Sequence, residues 1–173
     1  AKIKHLEVFD LPERAPRMQA LRSGELDVAL GATPDDIPGL KAANLTVDIT
    51  AGSQVLTWGI TQTNAAEGVN ITPFQDKRVR QALNYAVNKQ AMADGLLGGV
   101  GGDATGTGVA PIAFGYNPAV KPYPYDPDKA RSLLKAANFP FDEEIVINVV
   151  PGAFPADSEI FQQTAADLTK VGL

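Results

Sequence analysis

The chain has 173 residues, of which 45% are hydrophobic and 20% charged, with a net charge of −5 and no cysteine. That length suits one domain able to bury a real core. The acidic balance excludes the basic footprint of a nucleic-acid binder and the polybasic patch of a lipid-surface protein. The missing cysteines exclude disulfides and thiolate chemistry.

No apolar run approaches the ~18 residues of a membrane span. No signal peptide opens the chain either: Ala1-Lys2-Ile3-Lys4 leads directly into a strand pattern. Ile3, Leu6, Val8 and Phe9 mark this first predicted strand, with His5 and Glu7 between them. Residues 12–16 form a turn rich in proline. A short helix follows, with Met18, Leu21 and the Arg17 stem facing inward, and stops at Gly24. Residues 26–30 (LDVAL) read as a buried strand. Thr33-Pro34-Asp35-Asp36 reads as a helix start, with threonine as the cap and proline in the first position.

Residues 45–49 and 55–61 (VLTWGIT) are predicted strands, the second rich in β-branched and aromatic side chains. The clearest helical logic lies in residues 74–99. Asp76 is a good N-cap, and Val79, Ala82, Leu83, Ala86 and Val87 recur at the spacing of one buried face. Asn88 caps a second helix over residues 89–97, which Gly98 and Gly99 end. A glycine-dense loop follows. Asp126-Pro127 starts a helix that ends near Asn138, and residues 145–150 (IVINVV) read as a strand. A last helix, 155–170, carries Ile160, Phe161, Ala165 and Leu168 on one face, with Gly172 as its stop.

Strands alternating with helices predict an α/β fold with a mixed or parallel sheet. The last helix stops at Val171-Gly172-Leu173, where an α/β unit hands over to a further strand, so the chain reads as a segment of a longer one.

The residues offer little chemistry. The glycines of 98–108 follow a helix rather than a strand and lack the Gly-Lys-Ser/Thr ending of a phosphate loop. His5 is the single histidine, so no transition-metal site and no cofactor are expected. Asp35-Asp36 and Asp142-Glu143-Glu144 are adjacent acids that point apart, and read as solvated turn and cap charges. Arg78 and Arg80 oppose the helix dipole unless paired, and read as structural. Nothing forms a nucleophile–base pair, so the chain is not expected to be an enzyme. Trp58 is the one tryptophan, either a core or hinge aromatic or a platform in a binding cleft. Arg14 on its own residues reads as a solvated turn arginine.

The stretch PFQDKRVRQALNYAVNKQAM closely resembles the signature of the oligopeptide, dipeptide and nickel substrate-binding proteins of ABC transporters. The flanks agree in order. Ser23-Gly24-Glu25-Leu26-Asp27, Gly115-Tyr116-Asn117-Pro118, Tyr123-Pro124-Tyr125-Asp126-Pro127 and Leu168-Thr169-Lys170-Val171-Gly172-Leu173 all resemble family segments.

The resemblance implies a type II periplasmic-binding-protein-like lobe, a mixed sheet flanked by helices. Residues 1–173 would be the first part of the large C-terminal lobe of a two-lobe receptor, periplasmic or otherwise extracytoplasmic. It implies a non-catalytic solute binder that closes by hinge motion around a peptide and docks on an ABC permease, with the N-terminal lobe supplying the other wall. A solute-sensing domain of a transcriptional regulator is the alternative. The resemblance also brings Thr105, Thr107, Val109 and Pro111 near the cleft wall, sets Trp58 close to the lobe boundary, and puts Arg14 where some relatives face a ligand with a charge. An unpaired sheet edge would make the segment prone to self-association.

Overall fold

The structure, a computed structural model, describes residues 2–50, 52–60, 71–99, 106–142, 145–150, 154 and 156–173. They fall into two units, Ala1–Ile49 and Thr50–Leu173.

In the first unit, helix α1 (Arg14–Ser23) ends on Gly24, whose φ of 79° is the left-handed C-cap that glycine adopts without penalty. Met18 is buried and Leu21 half-buried, as their spacing predicts. Helix α2 (Asp36–Ala42) buries Leu40. The expected threonine cap is displaced by one role: Asp36 accepts from both the Thr33 amide and the Thr33 hydroxyl, at 2.9 and 3.1 Å.

The second unit holds the main core. A short helix α3 (Thr72–Gln75) leads into α4 (Lys77–Ala86), and α5 (Lys89–Leu96) follows after a break. The break is local chemistry. Asp76 accepts from the Arg78 amide at 2.7 Å, and Asn88 accepts from the Ala91 amide at 3.1 Å, so each helix begins on its own cap. Helix α6 (Pro127–Ala136) starts the same way, with Asp126 accepting from the Lys129 amide at 2.8 Å. Helix α7 (Asp157–Thr169) completes the set. Val79, Ala82 and Ala86 of α4 meet Ala130 and Leu134 of α6, and Ile160, Leu168 and Val171 join the same cluster. Alanines at the α4–α6 contact let the two backbones approach. Leu83 is only half-buried, at the edge of this cluster rather than within it.

The predicted α/β fold, a mixed sheet flanked by helices, is overturned: seven helices and no strand occur among the described residues. The segments expected as strands, 3–9, 26–30, 45–49, 55–60 and 145–150, carry the right residue types but pair with no neighbour in a ladder. Alternation supplies only one side of a strand's stability; the other is a partner for its N–H and C=O groups and a surface for its apolar face. Leu6 and Val8 are 77% and 85% exposed, so neither requirement is met there. No helix among the described residues is long and apolar enough to cross a membrane.

Candidate functional site

Residues 106–111 and Trp58 adjoin within the second unit. The 106–111 segment is held by a backbone approach: a Cβ on Gly106 would lie 2.4 Å from the Val120 carbonyl oxygen and 2.6 Å from the Lys121 carbonyl carbon. Only glycine fits at that position. Ala110 is buried and fixes the other end. A Cβ on Gly108 would lie 3.7 Å from Thr57 Cγ2, so the loop runs beside the strand-like segment that carries Trp58. Trp58 is 37% exposed and meets Phe161 of α7 edge-on, with ring centroids 5.1 Å apart. Its ring is partly covered, with Phe161 against it, and partly open to solvent.

Thr107 is half-buried. Its hydroxyl turns back on its own loop, donating to the Val109 carbonyl at 3.3 Å and lying 3.4 Å from the Val109 amide. Val109 is half-buried and Pro111 exposed. Thr105 lies outside the described residues, as do Glu143, Glu144 and residues 100–104 of the glycine-rich loop. Arg14 belongs to the first unit, where its Nη1 donates to Asp36 at 2.9 Å. That overturns the reading of Asp36 as a solvated cap charge. Burial pushes its carboxyl up, but the Thr33 amide and hydroxyl and the Arg14 guanidinium outweigh it, and its pKa lies below the usual aspartate value.

Arg78 and Arg80 are structural. Arg78 pairs with Asp76 at 2.7 Å and caps the Ala136 carbonyl of α6 at the same distance. Arg80 holds the Phe74 and Gln75 carbonyls, each at 2.8 Å. The Asp76 carboxyl is accordingly held below its usual range by the Arg78 side chain and amide.

Sequence reasoning missed the buried polar groups of α7, Asp157, Thr164 and Asp167, of which Asp167 is the most buried at 1% exposed. Its Oδ2 accepts from the Asn88 amide at 2.9 Å, and its Oδ1 accepts from Gln163 Nε2 at 3.0 Å and Lys170 Nζ at 2.9 Å. Desolvation raises its pKa, but the Lys170, Asn88 and Gln163 hydrogen bonds together bring it below the ordinary value. This carboxylate fastens the α4–α5 break to α7. Nearby, Lys89 is half-buried and donates to the Asn84 carbonyl at 2.6 Å, and burial pushes its ammonium below the usual lysine range.

Among the described residues of this unit, one pocket of about 170 Å³ opens between residues 87–90 and 122–125. Another, of about 370 Å³, lies between Thr72, Pro73, Asp76, Val79 and residues 137–140. Neither is lined by a predicted site residue, and no acid–histidine group able to hold a metal forms among the described residues.

A family model described as the middle part of the bacterial extracellular solute-binding proteins, family 5, matches residues 1–173. The chain belongs to that family. Among similar proteins, the dipeptide-binding protein of Pseudomonas aeruginosa is 34% identical over 176 residues, covering 99% of this chain and 32% of the relative. The glutathione-binding protein GsiB of Salmonella typhimurium is 36% identical over 124 residues, covering 72% of this chain and 23% of the relative. A crystal structure of the ABC transporter substrate binding protein CtaP from Listeria monocytogenes shares the fold with a TM-score of 0.70 at 18% identity. It covers 93% of this chain and 32% of that one. The chain thus spans about a third of the length of the dipeptide-binding relative.

Proposed function

We propose that this chain is part of the peptide-binding component of an ABC-type importer, non-catalytic and extracytoplasmic. The observation that carries this reading is the family match over the entire chain, joined to relatives named for a dipeptide and for glutathione, itself a tripeptide. Residues 1–173 belong, in this reading, to the large C-terminal lobe and supply one wall of a cleft. The other lobe supplies the second wall, hinge closure encloses the solute, and the closed form docks on the permease.

The proposed solute-facing residues are Trp58, Thr105, Thr107, Val109 and Pro111. The open part of the Trp58 ring and the loop beside it support this, because a half-packed aromatic next to a close-approaching backbone gives a peptide both an apolar face and main-chain partners. Since the Thr107 hydroxyl is turned back on its own loop, the loop's contribution is mainly backbone. Arg14 would have to give up Asp36 to hold a ligand carboxylate, so it stands outside this set.

The test is titration calorimetry of the full-length receptor with di- and tripeptides. Micromolar binding is expected, weakened by Trp58→Ala without loss of fold. The 173-residue chain alone should bind far more weakly: halving about −8 kcal/mol leaves about −4, which is millimolar. Failure of the full-length protein to bind any short peptide overturns the reading.

A further inference from the structure

Helix α7 lies against the core through apolar side chains, Ile160, Leu168 and, just past its end, Val171. Such contacts are non-directional and tolerate sliding along the helix axis, where one residue of slip is about 1.5 Å. No side-chain cap fixes the N-terminal end, where Ala156 takes a φ of 56°. Directional ties to other helices come at the C-terminal end. Arg131 of α6 donates to the Lys170 carbonyl at 2.9 Å, from a side chain that is 41% exposed. Asp167 is 1% exposed and accepts at 2.9 Å from a backbone amide, that of Asn88, whose own side chain caps α5. A buried acceptor on a backbone donor leaves the least freedom, and fixing register is the best-attested use of a buried polar group.

Register matters towards the other end of the same helix. Phe161 precedes Asp167 by six positions, about 9 Å along the axis. Its ring meets that of Trp58 with centroids 5.1 Å apart. The loop beside Trp58 is held from elsewhere, by the Gly106 approach to the Val120 and Lys121 backbone and by the burial of Ala110. A slip of α7 therefore changes the spacing between the Trp58 ring and residues 106–111.

We propose that Asp167 is a positioning residue for the solute site: by pinning α7 to the α4–α5 break, it sets where Phe161 holds the Trp58 ring relative to the loop at 106–111. The inference rests on the reading of Trp58 and that loop as solute-facing.

The full-length receptor carrying fluorotryptophan is read by fluorine NMR without solute, the Trp58 resonance being the one lost in Trp58→Phe. The peptide affinity of the same proteins is read by calorimetry. Asp167→Ala leaves the Asn88 amide without its acceptor. It should move the Trp58 resonance and raise the Kd for a di- or tripeptide at least about threefold. Asp167→Glu keeps the charge and lengthens the tie by one methylene, so it should move the resonance even where the alanine variant folds poorly. Asp167→Asn keeps an acceptor at the same reach and should restore both the resonance and the affinity. Leu134→Ala removes an apolar contact from the same core and no directional tie of α7, and should leave both readings near those of the parent. An unmoved resonance in the alanine and glutamate variants overturns the proposal. So does a Kd for Asp167→Ala within about twofold of the parent's, a failure of Asp167→Asn to restore, or a shift in Leu134→Ala as large as in Asp167→Ala, which would make Asp167 a stabilising residue alone. The resonance needs no peptide. A parent receptor that binds none defeats the peptide reading of the site, while the NMR comparison separately decides whether Asp167 positions Trp58.

Discussion

Ala1–Ile49 and Thr50–Leu173 use the same local grammar and arrive at different interiors. Each has capped helices with apolar residues at helical spacing. Among the described residues of the first unit only Met18 and Leu40 are buried hydrophobics; in the second, Val79, Ala82, Ala86, Ala130 and Leu134 close into one cluster with α7. The difference is not helix quality, since α1 has a left-handed glycine cap that α4 lacks. It lies in what faces the apolar side. Helix α4 finds α6 across an alanine-lined contact, whereas α1 has a single buried side chain to offer. Capping and propensity decide where a helix starts and stops; burial of a shared face decides how much it stabilises.

The largest effect that sharpens this comparison is expected at Leu134, 0% exposed at the centre of the cluster. Leu134→Ala should cost about 3–5 kcal/mol, because close-packed neighbours on two helices cannot collapse into the gap. Leu40→Ala, in the sparser unit, should cost about 2–3 kcal/mol, since its surroundings can relax. Chemical denaturation combined with amide exchange resolves the two units. A larger loss at Leu40 than at Leu134 would break the contrast.

Next comes Asp167. Asp167→Ala removes the acceptor of three donors and leaves the Asn88 amide unpaired beneath α7, so a loss of about 2–3 kcal/mol is expected. Asp167→Asn keeps the shape and isolates the charge. The folded pKa of Asp167 lies below its unfolded value near 3.8, so its stabilisation is present above that pH and is lost as pH falls through the folded pKa. Asp36 in the first unit has the same sign. Acid should therefore weaken both units below about pH 4. Asp167→Asn should flatten the acid limb of Thr50–Leu173 alone, read by amide exchange between pH 5 and pH 2 (about the range over which linked carboxylates protonate). Flattening in Ala1–Ile49 instead would contradict the assignment.

The elements that the sequence discloses are those whose cause is local. Asp76, Asn88 and Asp126-Pro127 cap helices within three residues of themselves, and each is where the pattern puts it. Asp167 was illegible because its burial depends on Asn88, 79 positions away, and a lone aspartate on a helix reads as solvated. The face of α7 was misjudged for the same reason: Ala165 is exposed, while Thr164 and Asp167 are buried by contacts that hydropathy does not register. The strands were misjudged because alternation says nothing about a partner. For the proposed site, Trp58 and its neighbouring loop were singled out through resemblance and not through local pattern, whereas the Gly106 approach to Val120 and Lys121 is a non-local fact of the backbone.

The smallest expected effect is at Arg14, and it separates a surface pair from a site. Its side chain is 48% exposed while that of Asp36 is 12% exposed, so the pair is lopsided: the arginine reaches in from solvent to an acid that is mostly covered. A pair with one exposed member is discounted by screening and by the side-chain entropy of holding it, and contributes about 0–1 kcal/mol. Asp36 does not become an orphan when Arg14 is removed, because the Thr33 amide and hydroxyl still donate to it. Arg14→Ala should therefore cost at most about 1 kcal/mol, and the difference should shrink further at about 1 M salt, where the Debye length falls to about 3 Å. Denaturation of parent and variant at low and high salt measures this. A salt-independent loss above about 2 kcal/mol would mean that the guanidinium packs as part of the first unit's sparse interior, which would narrow the contrast between the two units.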